Sequence, residues 1–109
     1  MTAEEMAVLN NIPHGHKNAI TSNSLAKKLQ IPERKVRRII QTLIEDYDFP
    51  IGSSVDERPG YFKIVTEEDF DIAIKHLKPR AVKIFKRLRA LEKLAVNKFG
   101  QISIEDIVL

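Results

Sequence analysis

Arg34, Arg38 and Gln41 stand four and then three residues apart, so any helix that contains them carries all three on one side. The chemistry of that trio is specific. A guanidinium presents paired N–H donors that match O6 and N7 of guanine, and a carboxamide does the equivalent with adenine. Lys27, Lys28 and Lys35 lie around them. Their compact charges on flexible stems suit phosphate oxygens better than base edges. Arg37 flanks the same side, and Arg58 lies in a later polar turn from which a phosphate or a minor groove would be in reach. The plain alternative is that these basic side chains only keep a helix face in water.

Other residue types that do chemistry are poorly placed for it. His14-Gly15-His16 has a spacing that can bind metal, but no cysteine or carboxylate accompanies the pair, so a loop turn is expected and no metal. His76 is isolated on a helix. Ser53-Ser54 follows a glycine without the strand, elbow and helix that a nucleophilic serine needs. The chain has no cysteine, which removes disulfides, thiolate ligands and thiol nucleophiles together, and its 4 glycines form no phosphate-cradling loop. Carboxylates gather at helix starts, where capping accounts for them. Neither catalysis nor a cofactor is expected.

With 109 residues, 43% of them apolar, the chain has room for one compact domain and an appendage. No run approaches the roughly 20 apolar residues of a membrane-spanning helix. The first residues, with Glu4 and Glu5, do not resemble a secretory leader, so the cytoplasm is the expected location. The net charge of +3 hides a polarised distribution. Of 18 Lys and Arg, six fall between Lys27 and Arg38 and nine between Lys75 and Lys98, against only Glu33 and Glu92. Acid collects instead at Glu4, Glu5, Asp46, Asp48 and in the run Glu67, Glu68, Asp69, Asp71. Such segregation suits a polyanion-binding surface.

The elements that must position these residues follow from caps and periodicity. Thr2 caps a helix over Ala3–Asn11 with Met6, Leu9 and Ile12 inward, ended by Pro13 and Gly15. Asn18 to Thr21 is a brief strand or lead-in. Ser22 or Asn23 caps a second helix with Leu25, Ala26 and Leu29 inward. Pro32 opens a third helix running to about Tyr47, with Val36, Ile39, Ile40, Leu43 and Tyr47 on its inner side. Short runs on either side of Asp56-Glu57-Arg58-Pro59-Gly60 read as a β-hairpin. Thr66 to Asp69 is a capping-box-like start to a helix reaching about Asn97.

The order helix, short strand, helix, helix, hairpin, helix predicts a mainly α fold with a small β-hairpin wing. The stretch Ser24 to Ile40 resembles a helix-turn-helix, with Ala26 where two helices cross and Ile31 in the turn. The continuation Phe49 to Ser54, with Gly60-Tyr61-Phe62, is similar to the wing of small winged helix-turn-helix proteins from prophages of Gram-positive bacteria. The resemblance covers roughly Leu9 to Ile64, and more loosely the helix after it. Gln30 stands where glycine is common in the turn, and Asp56-Glu57 puts acid at the wing tip. It implies a winged helix-turn-helix domain over 1–65 that places its third helix in the major groove of duplex DNA, as a transcriptional regulator or replication accessory. A winged helix used as a protein–protein adaptor is the alternative.

Residues 66–97 form the expected C-terminal helix. Phe70, Ile74, Leu77, Ala81, Ile84, Leu88, Leu91 and Ala95 are spaced by fours and threes, the seam of a coiled coil. The part up to Leu77 is expected to pack on the preceding domain, with Pro79 kinking or restarting the helix. The rest then pairs with a second copy through Ala81, Ile84, Leu88, Leu91 and Ala95, or folds back on its own domain. In a parallel homodimer Arg87 and Glu92 occupy flanking positions that can pair. The tail, 98–109, contains Gln101-Ile102-Ser103-Ile104-Glu105, which loosely resembles the Gln-led peptide that docks replication proteins on the sliding clamp. Glu105 stands where that peptide has an aromatic residue. A protein partner for 101–109 is one expectation; a short strand or an unstructured end is the other.

Overall fold

The first helix begins where its cap is chemically complete. In the computed structural model, which describes residues 1–56 and 58–99, Thr2 Oγ1 accepts from the Glu5 amide at 3.1 Å and Glu5 Oε1 accepts from the Thr2 amide at 2.7 Å. This reciprocal pair starts α1 (Ala3–Asn11), and Ile12 leaves it in an extended conformation, as a residue before proline prefers. Val8 and Ile12 are buried and Leu9 is half-buried, whereas Met6 is 51% exposed. The inward assignment of Met6 is thus corrected. It lies roughly 160° around the helix from Val8, and Val8 sets the inner side.

A 3₁₀ turn, His16–Asn18, leads to α2 (Ser22–Leu29). Its cap is Thr21, one residue earlier than expected, with Oγ1 accepting from the Ser24 amide at 3.1 Å. Ser22 is instead buried within the first turn. Gln30 ends α2 in the left-handed region at φ 54°, which is why glycine is favoured there. Pro32 caps α3 (Glu33–Glu45) rather than lying inside its first turn. Val36, Ile39, Ile40 and Leu43 are buried, but the helix stops two residues before Tyr47, which is 42% exposed. Asp48 turns the chain through φ 58°, and half-buried Phe49 takes the inner place expected of Tyr47.

The hairpin pairs β1 (Ile51–Ser54) with β2 (Gly60–Lys63) antiparallel, with Ile51 opposite Lys63 and Gly52 opposite Phe62. The outer edge of β2 is also satisfied. Ile20 and Tyr61 exchange amide-to-carbonyl bonds of 2.9 and 2.7 Å, the Lys63 amide donates to the Pro13 carbonyl at 2.7 Å, and the Gly15 amide donates to the Lys63 carbonyl at 2.8 Å. The expected brief strand is therefore a single bridge at Ile20.

One face of the sheet, through Ile51 and Tyr61, joins the helical core of Val8, Ile12, Leu25, Ile31, Val36, Ile39, Ile40 and Leu43. The other presents Gly52 and fully buried Phe62 to Ala73. A Cβ on Gly52 would lie 2.8 Å from both the Ala73 Cβ and the Phe62 ring, so glycine allows this close approach.

Ala73 belongs to α4 (Glu67–Phe99), the longest element. The architecture is thus mainly helical, with a two-stranded antiparallel sheet and a long C-terminal helix. Up to Leu77 the expected contact surface of α4 is corrected. Phe70, Ile74 and Leu77 are 49%, 53% and 56% exposed, while Asp69 and Ala73 are buried. The close approach at Gly52 admits only a small side chain, so the helix turns Ala73 toward the sheet and leaves the larger residues outside. Nor does Pro79 restart the helix; it is accommodated inside α4. The chain divides into two units, Met1–His76 and the segment from Leu77. No helix among the described residues is long and apolar enough to cross a membrane.

Candidate nucleic-acid interface

Burial of Val36, Ile39, Ile40 and Leu43 fixes the rotation of α3 about its axis and turns Arg34, Arg38, Gln41 and Glu45 outward. All of these outward residues are exposed. Among the described residues, the guanidinium groups of Arg34 and Arg38 have no ion pair and no hydrogen-bond partner. One turn apart and unengaged, they are available to an external acceptor. The Gln41 amide stands 3.4 Å from both carboxylate oxygens of Glu45, a long contact that a stronger partner would displace.

The neighbouring basic residues are placed differently. Lys35 Nζ lies 2.6 Å from Glu4 Oε1 of α1. Arg37 Nη2 donates to Glu33 Oε1 at 2.7 Å, Arg37 Nε donates to Ser22 Oγ at 3.2 Å, and Ser22 Oγ donates to the same Glu33 oxygen at 2.8 Å. Arg37 therefore fastens α3 to the start of α2, and Lys35 fastens it to α1. Both pairs are solvent-exposed, so each adds at most about 1 kcal/mol and opens readily to a competing phosphate. The Glu33–Arg37 spacing of four was readable in the sequence as a favourable helix pair. The Glu4–Lys35 pair joins distant segments and was not.

Lys27 and Lys28 are exposed in the last turn of α2, where positive charge also complements the helix dipole. Arg58 is exposed in the hairpin turn beside Glu57, which lies outside the described residues, as does the tail peptide 101–109. In α4 beyond Leu77, Ile84 and Leu91 are 63% and 57% exposed, Ala81 is exposed, and Leu88 and Ala95 are half-buried.

The histidines have separate roles. His14 is exposed, whereas the His16 ring meets Phe62 edge-on with centroids 5.3 Å apart. The His16 amide donates to Asp69 Oδ1 at 3.1 Å, and the amides of Val65 and Thr66 donate to Asp69 Oδ2 at 3.1 and 3.2 Å. Thr66 Oγ1 accepts from the Asp69 amide at 3.1 Å, which completes the capping box anticipated for α4. Burial pushes the Asp69 carboxyl up, but the amide donors of Val65, His16 and Thr66, with the Thr66 side chain, outweigh it and hold the group below its ordinary range. Perturbed carboxylates often mark active sites. Here the groups that perturb Asp69 are the Val65 and Thr66 amides at the start of its own helix and the His16 amide of the turn after α1, so these contacts join structural elements.

No protein-family model, curated protein or solved structure matches the chain.

Proposed function

We propose that residues 1–65 form a winged helix-turn-helix domain that binds duplex DNA by inserting α3 into the major groove. The single observation that carries this is the pair of exposed guanidinium groups of Arg34 and Arg38, without a partner among the described residues, on a helix whose opposite side is locked in the core. Arg34, Arg38 and Gln41 read base edges. Lys27, Lys28, Lys35, Arg37 and Arg58 supply phosphate contacts and affinity. The role that fits such a domain is a cytoplasmic regulator of transcription or a phage replication accessory, acting by binding rather than by catalysis.

The test is fluorescence anisotropy with random-sequence duplex over a salt series, comparing wild type with Arg34→Ala/Arg38→Ala. Wild type should bind with an affinity that falls steeply with salt, because each phosphate contact releases counterions. The double variant should bind random duplex more weakly only to the extent that two groove-facing charges are lost, and in competition between duplexes it should lose the sequence preference of wild type. No binding by wild type at low salt would reject duplex DNA as the ligand and favour the adaptor role, to be pursued by pull-downs with and without 101–109.

A further inference from the structure

From Leu77 to Phe99 α4 carries an apolar side that nothing among the described residues of its own unit covers. Leu77, Ile84, Phe85, Leu91, Leu94 and Phe99 are between 50% and 79% exposed. Together they leave on the order of 500 Å² of bare apolar surface, as much as the largest patch on a typical monomer. We propose that a second copy of this chain occupies this side, lying parallel and in register, so that Leu77, Ala81, Ile84, Leu88, Leu91 and Ala95 each meet their own counterparts. The pairing goes beyond the DNA-binding proposal and does not depend on it.

Seam spacing, area and charge select this occupant and its direction. The seam alternates by fours and threes, which keeps it facing one partner helix along its whole length. Adding the aliphatic stems of Lys78, Arg80 and Arg87 brings the contact toward the roughly 800 Å² per partner of a stable pair. In a parallel pair, a residue just before one seam position meets the residue five further along on the other copy. Arg87 then meets Glu92 of the second copy, Leu94 meets Phe99, and the Arg80 guanidinium meets the Phe85 ring. No like charges face each other. An antiparallel arrangement of the same seam sets Arg87 against Arg87 of the second copy, a repulsion at its centre. Phe85 already receives a cation on its ring, the Arg89 guanidinium at 5.7 Å from the centroid, and is still 50% exposed, so its ring suits a charged neighbour.

Sedimentation equilibrium of the full chain without DNA tests the pairing. Wild type should be dimeric at micromolar concentration, and Leu88→Glu should be monomeric with unchanged helix content by circular dichroism. Glu92→Lys should weaken the dimer roughly fivefold, and Arg87→Glu/Glu92→Lys should restore it by exchanging the charges. Because the chain lacks cysteine, Ala95→Cys introduces a single thiol, which should close a disulfide between copies on mild oxidation. A wild-type monomer would overturn the proposal, whatever else α4 then binds. A dimer that neither cross-links through Ala95→Cys nor responds to the charge exchange would overturn the parallel register. Duplex titration is a separate readout, so a dimer that does not bind DNA leaves this proposal intact and rejects the other.

Discussion

Asp69 shows how much a single carboxylate can hold. It caps its own helix, ties that helix to the turn after α1 through the His16 amide, and does so while 94% buried by the 6% exposure of the residue. Its hydrogen-bond geometry requires two acceptor oxygens, since Oδ1 and Oδ2 each face amide donors. Asp69→Asn puts an NH₂ group against at least one of those donors. The expected loss is about 1–3 kcal/mol at neutral pH, read by chemical denaturation. The folded-state pKa lies below the ordinary value of 3.8, so the stabilisation is complete above that pH and fades as pH falls through the depressed value. Wild type and variant should therefore converge in acid. A gap that stays constant below pH 3.8 would show that the carboxylate's charge is not what stabilises the fold.

At the scale of elements, β2 is hydrogen-bonded along both of its edges, to β1 on one side and to Pro13, Gly15 and Ile20 on the other. The hairpin's weakest point is where backbone meets backbone. Gly60 has φ 128° and begins β2 directly against the Ile20 carbonyl, which a Cβ at this position would overlap. Gly60→Ala should cost roughly 2–3 kcal/mol, from strain in the backbone and the lost Ile20–Tyr61 bonds. Thermal melting reads this directly, and a variant as stable as wild type would mean that the bridge at Ile20 contributes nothing. The helices obey a simpler logic. The apolar stripe of α3 determines which of its basic residues point outward, so the exposure of Arg34 and Arg38 follows from the burial of Val36, Ile40 and Leu43.

For the whole molecule, the governing quantity is the separation of charge along a chain whose net charge is only +3. Affinity for a polyanion depends on local density rather than net charge, and Lys27 and Lys28 supply density without a protein partner among the described residues. Lys27→Ala/Lys28→Ala should weaken duplex binding evenly across DNA sequences and flatten the log–log salt slope by about 2. Arg34→Ala/Arg38→Ala should instead change sequence preference. Identical behaviour of the two double variants would show that α3 contacts backbone only.

What was legible in the sequence was whatever local chemistry fixes. The span of α1, the capping box at Thr66 and Asp69, the hairpin about Pro59-Gly60 and the outward set on α3 each depend on neighbours within a few residues. The strained left-handed turn at Gln30 could be anticipated from the glycine that commonly fills it. What only the tertiary structure decided was which of several apolar stripes each helix buries. Met6 and Val8 both fit α1, and both Ala73 and the larger Phe70–Ile74–Leu77 stripe fit α4. At α4 the choice went to Ala73 because the close approach to Gly52 admits only a small side chain. At α1 it went to Val8, which joins Val36 and Leu43 in the helical core. The same holds for charge: Lys35 is drawn to Glu4 and Asp69 to the His16 amide by residues brought close only in the folded chain. Periodicity states which sides of a helix are apolar; packing selects the one that is covered.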